Sequence, residues 1–178
     1  MTVLCSDKTG TLTEGVIHLQ ETLDVVGQPS ERVARFAYLN AFFQTGFTNP
    51  IDRAIRDSCQ FEIKDIEKLD EIPYDFNRKL LSVRILLEGQ KLLITKGSLA
   101  NVLEVCSHAE TATGKRVELA SQFDEIQRLF TSLSNVGLRV LGVAIRHVEA
   151  TRIGKSDERE MTFLGLLVFS DPPKADAR

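Results

Sequence analysis

The stretch Asp7-Lys8-Thr9-Gly10-Thr11-Leu12-Thr13 constrains this chain more than any other part of its sequence. At ordinary residue frequencies of ~5% each, seven specified positions recur by chance roughly once per 10⁹ start positions. The apolar run Val3-Leu4-Cys5 precedes the motif and has the composition of a short buried strand. We therefore expect the motif to form the loop at that strand's carboxyl end, where open α/β sheets bind their ligands.

The residue types of this loop suit phosphoryl transfer. Asp7 is a candidate nucleophile toward a γ-phosphate, and Lys8 would offset the charge that develops. Gly10 and the Thr hydroxyls would let backbone and O–H groups close around phosphate oxygens. A hydrolase of acyl phosphates would need a carboxylate to activate water, but Thr9 stands where that group would serve. The pattern predicts a slowly hydrolysed aspartyl phosphate; the competing interpretation is a polar loop with Asp7 as an ordinary turn residue.

Composition narrows the class of protein. The 178 residues are 43% hydrophobic and 26% charged with a net charge of −3, which predicts a globular domain without a basic surface for nucleic acid. Cys5, Cys59 and Cys106 are odd in number and lack ligand-type spacing, which favours a reduced compartment and no structural zinc. No apolar run approaches the ~18 residues of a membrane helix. Both ends interrupt recognisable segments, so we expect a piece of a longer chain.

Hydrophobic periodicity predicts helices and strands in alternation. Ser30, Asn49 and Ser121 are candidate N-caps, and Gly46 and Gly137 are candidate helix stops. Helices are expected over 31–44, from 50 onward, over 98–106 and after 121, and strands over 16–26, 80–87, 91–95, 138–145 and 161–169. Residues 64–71 read as a solvated surface, 113–115 as a turn and 147–160 as a polar loop. We predict an α/β fold of the α+β type, with a central antiparallel sheet flanked by helices.

The segment from Cys5 to Thr13 resembles the phosphorylation signature of the P-type cation-transporting ATPases. These membrane pumps phosphorylate one Asp from Mg-ATP and couple that step to ion transport. The resemblance implies that Asp7 is the phosphorylated residue and that Lys8 and Thr9 belong to the catalytic loop. It also implies that ATP and Mg²⁺ are required, with Asp7 and Thr9 at an incomplete Mg²⁺ site.

Four later segments resemble the nucleotide-binding segments of the same family, in the same order. Asn49-Pro50-Ile51-Asp52 implies an acidic contact to adenine, although Asp52 also suits the positive end of a helix dipole and many relatives carry Glu there. The segment 73–82 implies that Phe76 stacks on the purine, worth ~1–3 kcal/mol, with Arg78 a candidate phosphate contact.

The last two segments complete the implied pocket. Thr95-Lys96-Gly97-Ser98 resembles the family's Lys-Gly-Ala step, with Lys96 a desolvated amine beside the base and Gly97 allowing close backbone approach. Gly137-Leu138-Arg139-Val140 resembles the segment whose Arg pairs with phosphates. Segments 40–46 and 70–76 look most like the bacterial magnesium-transporting pumps, and calcium and proton pumps are the alternatives.

The resemblance also implies how the chain is divided. Residues 1–15 would carry the phosphorylation motif, 16–170 would form the nucleotide-binding domain, and 171–178 would be the return hinge to the phosphorylation domain. Its partners would be the remaining phosphorylation, actuator and transmembrane domains, at the cytoplasmic face of the inner membrane. The family's later Gly-Asp-Gly-type motif is absent from the sequence. We therefore expect a soluble, monomeric fragment that binds ATP weakly and does not transport.

Two other functional classes compete with this interpretation. A phosphatase of the haloacid-dehalogenase type shares the Asp nucleophile but would carry an acid/base Asp at position 9, where this chain has Thr9. A non-enzymatic nucleotide sensor would bind ATP without any activity that depends on Asp7. The transported ion is not determined by these residues, because the resemblance places the selecting groups in the membrane.

Overall fold

The structure is a computed structural model, and it describes residues 15–46 and 49–171. These residues form eight strands in one sheet and four α-helices. The strands are β1 His18–Leu23, β2 Glu67–Asp75, β3 Leu80–Leu87, β4 Gln90–Ser98, β5 Cys106–Glu110, β6 Arg116–Glu118, β7 Arg139–His147 and β8 Met161–Ser170. The helices are α1 Glu31–Phe43, α2 Pro50–Ser58, α3 Leu99–Glu104 and α4 Phe123–Asn135.

The sheet has the order β2-β3-β4-β7-β8-β5-β6, and β1 pairs with the second half of β8. Neighbouring strands are antiparallel except β5 and β8, which run parallel because the chain passes from β4 through α3 to the far side of β8. The predicted fold class, an α/β fold with a largely antiparallel sheet flanked by helices, is confirmed. The one parallel pair is a departure from the purely antiparallel expectation.

Each face of the sheet carries its own apolar core. Helices α1 and α2 cover the first core, where Leu39 and Ile55 pack against strand residues such as Val83 and Ile94. Helices α3 and α4 cover the second core, which contains Val102, Ile126, Met161 and Phe163. No helix among the described residues has both the length and the apolar composition needed to cross a bilayer.

Local signals placed the first two helices correctly. The Ser30 hydroxyl accepts the Val33 N–H at 3.3 Å at the start of α1, and the Asn49 side chain accepts the Ile51 N–H at 2.9 Å at the start of α2. The predicted cap at Ser121 is wrong. A 3₁₀ turn at Leu119–Ser121 precedes α4, so the Ser121 hydroxyl instead donates to the Glu118 carbonyl and the N-cap position falls one residue later.

The strands depart from expectation in three places. β2 includes most of the charged stretch that predicted a solvated surface. The stretch can be charged and still form a strand because β2 lies at the edge of the sheet. β5 and β6 flank the predicted turn at 113–115 and are too short to show a periodic pattern. Leu19 and Leu23 would face the same side of a regular strand, but β1 has a register shift between Leu19 and Glu21. Leu19 therefore packs on the first core and Leu23 on the second core.

The glycine at position 165 is required by the packing of β1 on β8. Its φ is 156°, and a Cβ there would overlap the Leu23 carbonyl oxygen and lie 2.8 Å from Val33 Cγ2. We expect Gly165→Ala to lower the free energy of unfolding by about 2–4 kcal/mol, because strain and overpacking add. Urea denaturation would measure this loss.

Gly154→Ala is the matched control. Gly154 has extended backbone angles, and a Cβ there would meet nothing within 4 Å. The free energy of unfolding of the Gly154→Ala variant should stay within about 0.5 kcal/mol of the wild-type value. Equal losses in the two variants would contradict the packing argument.

Candidate nucleotide-binding site

The residues predicted for phosphoryl transfer, Asp7, Lys8 and Thr9, lie outside the described residues. The phosphorylation loop and the Mg²⁺ ligands Asp7 and Thr9 therefore stay predictions. Within residues 15–46 and 49–171, no three His, Cys, Asp or Glu side chains gather into a group that could hold a metal ion.

Strand register brings the predicted nucleotide-binding segments to one end of the sheet. Leu80, at the start of β3, pairs with Gly97 near the end of β4, and Gly97 pairs with Gly142 near the start of β7. The β2–β3 turn, the β4–α3 junction and the first residues of β7 consequently share one edge, which we call the turn end of the sheet. Phe76, Gly97 and Arg139 all lie there.

Phe76 presents a large aromatic surface from a fixed turn. Its side chain is 85% exposed, and its ring meets Tyr74 edge-on with centroids 5.2 Å apart. The backbone beneath it is held by Asp75, whose carboxylate accepts the N–H groups of Asn77 at 2.8 Å and Arg78 at 3.3 Å. An exposed flat ring on an ordered turn can stack on a planar ligand.

Asp52, predicted to contact adenine, and Lys96, predicted to lie beside the base, form an ion pair with each other. Asp52 projects from α2 and Lys96 from β4, and their side chains are only 2% and 5% exposed. Burial lowers the pKa of Lys96 from its ordinary value, and the adjacent Asp52 carboxylate opposes that shift. The protein itself therefore desolvates Lys96, with a carboxylate as its partner, and the predicted place of Lys96 beside the base stays a prediction.

A buried amide lies against β3 and β4, the strands next to the ion pair. Asn40 of α1 is fully buried, and its side-chain N–H₂ donates to the carbonyls of Ile94 at 2.9 Å and Leu81 at 3.3 Å. Its Oδ1 has no hydrogen-bond partner among the described residues. Leu81 is the cross-strand neighbour of Lys96, so Asn40 fixes α1 over the strands that carry the ion pair.

Gly97 is explained by the packing of the protein itself. A Cβ at this position would overlap the Lys79 carbonyl oxygen and lie 2.7 Å from Leu80 Cδ2. The same Lys79 carbonyl accepts the Ser98 N–H at 3.1 Å. The absence of a side chain at 97 therefore lets the β2–β3 turn close onto β4, and the predicted close approach of a ligand stays a prediction.

The structure places Arg78 away from Lys96. Its guanidinium pairs with Glu158 and with Asp75 at 3.4 Å, and it donates to the Pro73 carbonyl at 3.2 Å. Glu158 is reached on the sheet face of the second core, whereas Lys96 points to the first core because neighbouring residues of a strand alternate. Three of the five guanidinium N–H groups are thus used inside the protein.

Arg139 is exposed at the first position of β7. It lines a cavity of about 320 Å³ beside Gly137, Phe169 and Asp171. Val143 of the same strand pairs directly with Lys96, so Arg139 shares the sheet face of Lys96 at roughly 13 Å along the strand. The structure thus brings two predicted cations, Lys96 and Arg139, to one face and holds the third, Arg78, on the other.

The buried pair predicts a specific pH dependence for Asp52→Asn. Removing the carboxylate leaves Lys96 buried without its counter-charge, which should lower the free energy of unfolding by about 3–5 kcal/mol near neutral pH. The pKa of Lys96 in the folded state should fall further below the unfolded value of about 10.4. Between the folded-state and unfolded-state pKa values of Lys96, the unfolded state binds more protons than the folded state. The loss in the free energy of unfolding is therefore largest at low pH and becomes smaller as the pH rises.

Urea unfolding of the variant between pH 7 and pH 9.5 would measure this slope. Asp57→Asn, an exposed carboxylate on the same helix, should follow the wild-type profile. Parallel profiles for Asp52→Asn and the wild type would show that Lys96 does not depend on Asp52.

Comparison with known proteins places the chain in a family. Residues 2–176 match the family described as P-type ATPase, cytoplasmic domain N. The chain is 37% identical to a magnesium-transporting ATPase, P-type 1, of Escherichia coli K12 over 183 residues, and 35% identical to one from Salmonella typhimurium LT2 over 184 residues. Both alignments cover 98% of this chain.

A more distant relative is a calcium-transporting ATPase 1 of Bacillus cereus, 28% identical over 203 residues and covering 100% of the chain. The chain spans about a fifth of the length of these relatives, from 20% to 23%. The alignment with the magnesium-transporting proteins extends across both the phosphorylation motif and the turn end of the sheet. The chain therefore belongs to the P-type ATPases and corresponds to their cytoplasmic domain N.

Proposed function

We propose that this chain is the ATP-binding part of a P-type ion pump, which hydrolyses ATP through an aspartyl phosphate on Asp7. The observation that carries the proposal is the exposed ring of Phe76 on an ordered turn, within a chain that matches the family along nearly its whole length. The purine stacks on Phe76 at the turn end of the sheet. Asp52 and Lys96 lie beneath this end as a buried pair, and Gly97 lets the turn pack closely.

The phosphates of the nucleotide then extend toward Arg139, which is exposed at the start of β7 on the sheet face of Lys96. Arg78 is the weaker candidate for a phosphate contact. Three of its N–H groups already bond Glu158, Asp75 and Pro73, so a phosphate would have to use the other two. Asp7 and Thr9 would hold the Mg²⁺ that accompanies ATP, and that ion would offset the charge of the phosphate oxygens.

Binding of ATP by this chain is expected to be weak. One stacked base and a few polar contacts supply roughly −4 to −5 kcal/mol, which corresponds to sub-millimolar to millimolar dissociation constants. A weak site suits a domain that delivers nucleotide across a hinge near Gly15 and Asp171 and then releases ADP. In this proposal the energy of ATP is stored as the aspartyl phosphate on Asp7 rather than as tight nucleotide binding.

Magnesium is the ion we propose for the complete pump. Relatives named as magnesium-transporting are 35–37% identical to this chain, whereas the Bacillus cereus calcium-transporting relative is 28% identical. The pump would act at the cytoplasmic face of the cell membrane, with the remaining phosphorylation, actuator and transmembrane domains as the partners of this chain. A calcium or proton pump is the alternative that transport assays on the complete protein would distinguish.

The proposed base contact can be tested by truncating the ring. We expect Phe76→Ala to weaken ATP binding at least about fivefold, because ~1–3 kcal/mol of stacking is lost. A titration of ¹⁵N-labelled protein with ATP would measure the affinity. Phe123→Ala removes another exposed ring, 42% accessible at the start of α4, and should leave the affinity unchanged. Equal affinity of the Phe76→Ala variant and the wild type would refute the stacking role.

The proposed chemistry can be tested at Asp7 in the complete pump. Asp7→Asn should abolish formation of the acid-stable, hydroxylamine-sensitive phosphoenzyme from ATP, because the amide cannot act as the nucleophile. ATP binding to the Asp7→Asn protein should persist. A sensor function would instead leave every activity of the complete protein unchanged in this variant. A phosphatase function would give steady hydrolysis of simple phosphate esters by the isolated chain.

A further inference from the structure

The loop of residues 148–160, between β7 and β8, is fixed to strands that are not its neighbours. It follows β7 and contacts β7 and β4, and it also reaches β3 and β2, which lie beyond β4 in the sheet. Arg84 of β3 donates to the carbonyls of Ala150 and Thr151, and Asp70 of β2 accepts the Ile153 N–H at 3.0 Å. The 148–160 loop therefore crosses one face of the sheet as far as the edge strand.

Glu158 in this loop is a buried carboxylate that joins the sheet to the Phe76 turn. Its side chain is only 2% exposed, so the charge requires partners within the protein. One oxygen accepts the Ser82 hydroxyl at 2.6 Å, and Ser82 lies 2.6 Å from the Thr95 hydroxyl on β4. The other oxygen pairs with Arg78, which lies in the β2–β3 turn.

A second residue of the loop holds the other side of the same turn. Lys155 Nζ lies 2.6 Å from Asp75 Oδ2. This hydrogen bond, together with the N–H groups of Asn77 and Arg78, holds the pKa of Asp75 well below its usual range. Phe76 is therefore bracketed by Asp75 and Arg78, and each of these is bonded to the 148–160 loop.

The ring of Phe76 has little packing of its own to orient it. Its side chain is 85% exposed, and its ring contact is with Tyr74 of the same hairpin. The orientation of the ring must consequently come from the backbone of the turn and from whatever holds that backbone. A stacking surface that is already ordered binds its ligand more tightly than one that must be ordered on binding.

We propose that Glu158, assisted by Lys155, is a positioning residue for nucleotide binding: it holds the Phe76 turn in the orientation that stacks on the purine. The inference rests on the proposed stacking role of Phe76 and adds residues to it that never touch the nucleotide. Glu158 acts through Arg78, and Lys155 acts through Asp75. In this assignment Arg78 orders the turn rather than binding phosphate directly.

The test is an ATP titration of Glu158→Gln, alone and combined with Phe76→Ala. Glutamine keeps an oxygen for Ser82 but removes the charge that holds Arg78, so we expect the affinity for ATP to fall by up to about tenfold and by no more than the loss that Phe76→Ala causes. In the Phe76→Ala background the same substitution should cause no further loss, because the ring it positions is gone. Glu160→Gln is the control, because Glu160 lies in the same loop, pairs with Arg146 of β7 and has a side chain that is 69% exposed.

A spectroscopic readout separates positioning from general destabilisation. In the ATP-free Glu158→Gln protein, the amide signals of Asn77 and Arg78 and the ring signals of Phe76 should shift. Amide signals of β5 and β6, at the far edge of the sheet, should not. Should Glu158→Gln prevent folding, Lys155→Ala gives the same test at an exposed position, with an expected threefold loss of ATP affinity.

The outcomes distinguish this inference from the function on which it rests. An ATP affinity of Phe76→Ala equal to wild type would overturn both the stacking role and the positioning role. A weaker Phe76→Ala together with an unchanged Glu158→Gln would overturn the positioning role alone. An equal loss from Glu158→Gln with and without the Phe76 ring would also overturn it, because the substitution would then act independently of the ring.

Discussion

The alternation of side chains along β4 is the constraint on which both sides of this domain depend. Thr95 and Lys96 are consecutive residues, so one strand carries a polar group into each face of the sheet. On one face Lys96 meets Asp52 of α2, and on the other Thr95 begins the chain of contacts through Ser82 to Glu158. A shift of β4 by one residue would exchange these faces and leave Asp52 buried without Lys96.

Elements with a local chemical signal could be predicted from the sequence. Ser30 and Asn49 are the N-caps of α1 and α2 and predict where these helices begin. Glu88-Gly89 predicts the turn between β3 and β4, and its two residues have φ values of 52° and 77°. β2 could not be predicted in this way, because an edge strand can carry as many charged residues as a solvated loop does. The cap of α4 failed for a related reason, since Ser121 belongs to a 3₁₀ turn that competes for the same hydroxyl.

The candidate site was predictable as a set of segments but not as a set of contacts. Register brings the segments containing Phe76, Gly97 and Arg139 to one end of the sheet, as their shared resemblance implied. The partner of Arg78 lies 80 residues away in a loop that carries no motif, and the partner of Lys96 lies 44 residues away in a helix whose motif implied a contact to adenine instead. Such pairs depend on tertiary packing, so neither periodicity nor residue type identifies them.

The two outer strands of the main path also affect how this domain behaves beside other copies of itself. β2 carries Lys68, Asp70 and Glu71, and Pro73 withholds one N–H from its edge. β6 at the opposite end has only three residues. Charged, proline-interrupted or very short outer strands are poor templates for pairing with another chain. A high local concentration of this domain would therefore not join the sheets of neighbouring copies through these two strands.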